Sequence, residues 1–223
     1  MNKSILVVAA HPDDETLGCG GTLLKHRQSM DKISWLIVTA MTRACGYAEN
    51  KIMCREKEIE AVTRAYGFSD VFQLGFPAAA LDTLSLSSII QKIREAIIKA
   101  KAEVIYLPHA GDLHTDHQIT HRAVIASTRS FRTPEVKKIL VYETISETEF
   151  CVPTKKHNFV PNIFVDVSSL IGKKVAIMRL YKSEIKQSPF PRSSKNIKAL
   201  ATFRGAMAGV RYAESFMLIR EFI

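Results

Sequence analysis

Two short stretches of the chain concentrate the side chains able to do chemistry. A run of small and β-branched apolar residues, SILVVAA (4–10), ends abruptly in His11-Pro12-Asp13-Asp14-Glu15. Much later, PHAGDLHTDH (108–117) supplies His109, His114, Asp116 and His117. Like charges packed together repel, and burying them is costly unless something pairs with them. The first cluster therefore either lies open to solvent or holds a cation. A catalytic zinc takes three protein ligands from His, Asp or Glu and keeps one position for water. His11 and Asp14 stand three apart at a strand-to-helix junction, so both can point one way. For the third ligand, His114 and His117 repeat that spacing, while His117 and His121 form the i, i+4 pair of zinc-binding helices without the Glu of H-E-x-x-H. Spacing alone leaves both open. The plainer reading of the first cluster is a helix N-cap by Asp13 or Asp14. One Asp satisfies that reading, and two Asp, a Glu and a His exceed it.

The elements that must position these residues follow from hydrophobic periodicity. Buried strands are expected at 4–10, 32–40, 70–76, 103–108, 138–144 and 161–167, most of them continuous apolar runs of the kind a parallel sheet needs. Helices are expected at 15–29, 51–68, 86–102, 117–131, 168–185 and 194–210, with Gly67 as a C-terminal stop and Ser168 as an N-cap. Strand and helix alternate through the first two thirds, which is the pattern of a doubly wound α/β sheet covered on both faces. In such sheets the ligand crevice lies beyond the carboxyl ends of the strands. His11–Glu15, TAMTRACGYAEN (39–50) and 108–117 all fall there, which puts Arg43 at the rim, able to meet a phosphate or nucleotide. GCGG (18–21) is no dinucleotide loop, because acids occupy the strand-to-helix turn where the glycines should sit. Its glycines instead suit close packing of helix on sheet. The loop SPFPRSS (188–194) reads as exposed and mobile, and the 223 residues read as a single domain, 1–223.

Composition narrows the class. Hydrophobic residues make up 47% and charged residues 24%, an ordinary globular balance. The net charge of +9 suits anionic partners, but no dense Lys/Arg run marks a nucleic-acid stripe. Cys19, Cys45, Cys54 and Cys151 form no C-x-x-C pair, so they read as reduced thiols of a cytoplasmic protein. The N-terminal apolar run is too short for a signal peptide, and no stretch is apolar enough to span a bilayer. His26 and His157 read as surface residues, and His109 as a residue near the pocket that does not ligate.

AHPDDETLGCGGTL together with HTDH resembles the PIG-L/LmbE family of zinc-dependent N-acetylglucosaminyl deacetylases, whose marks are an A/P-H-P-D-D-E block and a later H-x-D-H block. CREKEIEAVTRAYGF is similar to the family's Arg-led second helix, and PNIFVDVS, LYKSE and YAESF resemble the C-terminal half of its bacterial members. The resemblance covers nearly the whole chain and implies a Rossmann-like, mostly parallel sheet. It implies that His11, Asp14 and His117 bind Zn²⁺ or another divalent transition metal. Asp13 would be the general base and His114 a protonated partner for the oxyanion or leaving amine. Asp116 would orient a histidine, Arg55 would reach the substrate sugar, and Tyr212 would line the site near the oxyanion. Without the resemblance Arg55 reads as part of a solvated helix face, and Tyr212 equally well as a core aromatic. Thr115 stands where the family usually has Pro, which bears on loop rigidity rather than chemistry.

The expected activity is metal-dependent hydrolysis of the N-acetyl group of a GlcNAc-type amino sugar, as a conjugate or sugar nucleotide. The expected partner is a small amino-sugar substrate, anionic in keeping with the net charge, with no nucleic acid and no membrane span. A homo-oligomer is compatible with the sequence. The rival readings are a catalytically inactive sugar- or anion-binding module of the same fold, and a basic nucleic-acid-binding protein that needs no metal.

Overall fold

The computed structural model describes residues 2–152 and 158–223. Strand β1 (Ser4–Ala9) runs into helix α1 (Asp14–Gln28), followed by β2 (Lys32–Ala40), α2 (Glu49–Tyr66), β3 (Asp70–Pro77), α3 (Leu86–Ala100), β4 (Val104–Pro108) and α4 (Thr115–Ser127). Then come β5 (Lys138–Tyr142), β6 (Ile163–Asp166), α5 (Ile171–Met178), α6 (Ser194–Ala208) and β7 (Ala213–Glu221). The strands form one sheet in the order β3-β2-β1-β4-β5-β7-β6. The first five are parallel, and β7 is antiparallel to both β5 and β6. The chain leaves β1 toward β2 on one side and returns to β4 on the other. The sheet order therefore reverses between β1 and β4, where an open α/β sheet has its crevice. The pairing Ile5↔Val104 to Val7↔Tyr106 brings the two chemically rich loops to the same end.

Alternation along β1 explains its unbroken apolar run. Ile5, Val7 and Ala9 pack into one core with residues of α1, α2, α5 and α6, while Leu6 and Val8 pack into the other with residues of α3 and α4. The GCGG segment does allow close packing. A Cβ on Gly18 would lie 2.1 Å from the Tyr142 ring, whose hydroxyl donates to the Val8 carbonyl at 2.9 Å.

The C-terminal third departs from expectation. The helix expected over 168–185 is only α5, Ile171–Met178. Ser168 does not cap it but donates to Asp166 Oδ1, and Leu170 holds the cap position. The chain after α5 is drawn toward the crevice instead: Tyr181 donates to Glu15 and the Lys182 amide to Glu58. The strand β7 was not expected at all. In the 188–194 loop, Ser193 is buried and caps α6 by accepting from the Asn196 amide, so this stretch is anchored rather than free. His26 is not a simple surface residue, since its ring bridges Asp31 and the Tyr106 hydroxyl. His157 lies outside the described residues. No helix among the described residues is long and apolar enough to cross a membrane.

Candidate active site

The turn after β1 separates three acids that look alike in sequence. Asp13 sits at φ 132°, in the region that disfavours a side chain. Its strained amide is held by Glu15 Oε2 at 3.1 Å. Glu15 points inward, fully buried, and accepts from Thr16 Oγ1 at 2.6 Å and from Tyr181 at 2.8 Å. Burial pushes Glu15 up to about 7. Asp14 instead accepts from the His11 amide at 2.8 Å and turns toward α4. Arg55 Nη1 donates to the Pro12 carbonyl at 2.8 Å and so holds the same turn from α2.

The β4–α4 loop meets this turn. His117 Nε2 lies 3.3 Å from Asp14 Oδ1, and His11 Nδ1 lies 3.8 Å from Asp14 Oδ2. Ligand atoms of His11, Asp14 and His117 all fall within 4.8 Å of one another. Each imidazole has its other nitrogen fixed by a carboxylate: His11 Nε2 meets Asp116 Oδ2 at 2.9 Å, and His117 Nδ1 meets Asp112 Oδ2 at 2.8 Å. Such partners set the ring orientation and basicity of metal-binding histidines. Among the described residues, His11, His114 and Asp116 form a second close group. It is the poorer donor set, because Asp116 already accepts from the Ala79 and Leu81 amides and from His11. His121 joins neither group, since its Nδ1 lies 2.9 Å from the Pro108 carbonyl. The i, i+4 reading therefore gives way to His11, Asp14 and His117.

Electrostatics fit a cation at that point. Burial alone would lower His117, yet Asp14 and Asp112 on either side hold it well above the ordinary histidine range. Burial likewise raises Asp14, but His117 and His11 outweigh it and hold the carboxyl below the usual range. The His117 Nε2–Asp14 Oδ1 contact lies among the three clustered ligand atoms, which could hold a metal ion once deprotonated. Asp13 is driven up by burial and by Asp14 beside it, with Arg192 opposing. His114 is lowered to about 4, first by burial and then by His11 and His117. Its Nδ1 accepts from the Asp116 amide at 3.1 Å, so the neutral ring carries its proton on Nε2. The resemblance gives His114 a protonated role; in this structure Nε2 is the ring nitrogen left to donate.

A pocket of about 230 Å³ opens over this group. His11, Asp13, Asp14, His114 and His117 line it, and so does Arg55, which is buried rather than solvated. Asp116 lies behind His11 and positions it. Arg43 is not at the pocket; it is exposed and paired with Glu49. Tyr212 is also elsewhere. Its backbone bonds Val167 and Ser168 at the β6 edge, with Arg211 over its ring. His109 is buried edge-on to Phe159 and does not line the pocket. Sequence reasoning missed Asp112, Glu184 and Arg192. Asp112 stands five residues before His117, a legible spacing; Glu184 lies within the LYKSE block that resembles the family, but no spacing pairs it with Arg192.

The sequence matches the protein family described as "PIG-L: GlcNAc-PI de-N-acetylase" over residues 6–128. It is 22% identical over 228 residues to the diacetylchitobiose deacetylase of Thermococcus kodakarensis, covering 97% of this chain and 83% of that protein. It is 26% identical over 192 residues to a probable N-acetyl-alpha-D-glucosaminyl L-malate deacetylase 2 of Bacillus anthracis, covering 82% and 81%. Its structure resembles the conserved protein TT1542 of Thermus thermophilus, with TM-score 0.78 and 27% identity over 99% of this chain and 96% of that one.

Proposed function

Because the chain belongs to the PIG-L family of GlcNAc-PI de-N-acetylases, we propose that it is a metal-dependent amide hydrolase that removes the N-acetyl group of a GlcNAc-type amino sugar. The observation that carries this reading is the convergence of His11, Asp14 and His117 with Asp13 beside them and a carboxylate behind each histidine. A bound divalent metal, zinc in the first place, would polarise the amide carbonyl and bring the pKa of a bound water to ~7. The chain's own residues do the rest. Asp13 accepts the proton of the attacking water as a general base. Asp13 then returns that proton to the nitrogen that must leave as an amine. His114 donates from Nε2 to the carbonyl oxygen as negative charge develops there, a type of contact worth ~10²–10³ in rate. The C–N bond breaks, the amine leaves with the proton, and acetate is the second product.

The test is a panel of N-acetylated sugars assayed for acetate release, with added Zn²⁺ and with chelator. Chelator-sensitive release from at least one sugar is the expected result. Tight sugar binding without release from any of them would favour the inactive binding module instead.

A further inference from the structure

We propose that Arg192, on the connection between α5 and α6, is a positioning residue for Asp13, pinning one carboxylate oxygen and thereby latching that connection over the pocket. The inference rests on the hydrolase reading above. Arg192 Nη1 donates to Asp13 Oδ2 at 2.8 Å and to Glu184 Oε2 at 3.0 Å. Glu184 is in turn paired with Arg55 and accepts from Ser183 Oγ at 2.9 Å. Arg55 returns to the Pro12 carbonyl, so the contacts close a ring around the turn that carries Asp13.

Each member of that ring controls a different freedom. Arg55 and Glu15 fix the backbone on either side of Asp13. Neither fixes the rotation of its carboxylate, whose terminal torsion is broad and roughly two-fold. Asp14 is the neighbouring charge and repels it. Arg192 supplies the missing restraint. With Oδ2 held, Oδ1 is left as the oxygen that takes the proton of the attacking water. Ser193 follows immediately and caps α6, so a shift of α6 or of the connection is felt at Asp13.

Two variants test this, Arg192→Gln and Arg192→Lys, in the full chain loaded with Zn²⁺. Misplacement of a reacting group typically costs ~10²-fold. The expected result for Arg192→Gln is a fall in kcat of ~10–100-fold with KM within ~3-fold and zinc content unchanged. Millimolar guanidinium should restore part of the loss, and Arg192→Lys, which keeps the charge and is the safer variant to fold, should fall between. A second measurement needs no substrate: amide hydrogen exchange across 186–193 should speed up in Arg192→Gln and stay unchanged in β1 and β4. A raised KM with kcat intact would make Arg192 a substrate-binding group and overturn the proposal, as would unchanged kcat in both variants or unchanged exchange. Failure of the wild-type protein on every N-acetylated sugar strikes the hydrolase reading instead, and the exchange measurement still decides the latch.

Discussion

The turn after β1 and the connection after α5 both reach the same pocket, yet they arrive there in opposite ways. The first is a contiguous block in which neighbouring residues receive distinct roles from backbone geometry: Asp13 toward the pocket, Asp14 toward His117, Glu15 into the core. The second contributes side chains one at a time, Tyr181, Glu184 and Arg192, each reaching back to a residue of the first or to Arg55, which holds it. A strand tip at the point where sheet order reverses must carry its chemistry in adjacent positions, because only the tip is at the crevice. A segment that crosses over the crevice can place residues at any spacing. The first region should therefore set whether the reaction happens, and the second how well it is aligned.

The sharpest way to break that division is at the metal. His117→Ala should lose bound zinc and all turnover, while His121→Ala should keep both, as read by metal content after dialysis. The reverse pattern would make His121 the ligand in place of His117. Next in size is Asp13→Asn, expected to retain zinc while turnover falls by ~10²–10⁴, the usual worth of a general base. Loss of zinc in Asp13→Asn would show that Asp13 ligates, and the separation of roles within the turn would collapse.

Legibility in the sequence follows the same division. The parallel half of the sheet could be read from apolar runs such as 4–10 and 32–40, because strands buried on both faces leave no alternation to misread. His11 and Asp14 could be nominated by residue type; spacing alone left His117 and His121 level, the resemblance named His117, and the tip of β4 beside that of β1 brings it to them. β7 stayed hidden because nothing local says that its residues pair antiparallel with two strands distant in sequence. The 168–185 helix was over-read for the same reason: Tyr181 fits the apolar periodicity, but Glu15 takes its hydroxyl after the helix has ended. Tyr212 was placed at the site through its family block, and its backbone ties to β6 keep it at the sheet edge.

Asp112 sharpens the comparison, since it belongs to the first region's side of the pocket but acts behind a ligand. Asp112→Asn should keep the fold and weaken zinc by ~10–100-fold, the usual cost of losing an outer partner. A pH-dependent change should appear in the wild-type affinity itself. His117 is held above the ordinary histidine pKa by Asp14 and Asp112, so below that raised value zinc must displace a proton. Apparent affinity should climb with pH by ~10-fold per unit and level off only above the ordinary histidine range of ~6.5. Competition with a chromophoric chelator from about pH 6 to about pH 9 would read it, and a plateau already reached near pH ~6 would mean that His117 is not the displaced site.

The smallest expected effect carries the comparison to its far edge. Tyr212→Phe removes a hydroxyl from a half-buried ring whose backbone, not its side chain, bonds Val167 and Ser168. Surface substitutions away from special features usually stay within ~0.5 kcal/mol, so stability should hardly move. If only residues of the β1 turn, the β4–α4 loop and the α5–α6 connection touch the reaction, kcat/KM should also stay within ~2-fold of wild type, since a change of that size is well below ~1 kcal/mol of transition-state stabilisation. A drop of ~10²-fold, the cost typical of losing an oxyanion donor, would mean that the start of β7 reaches the pocket during turnover. The C-terminal region would then supply a reacting group and not alignment alone.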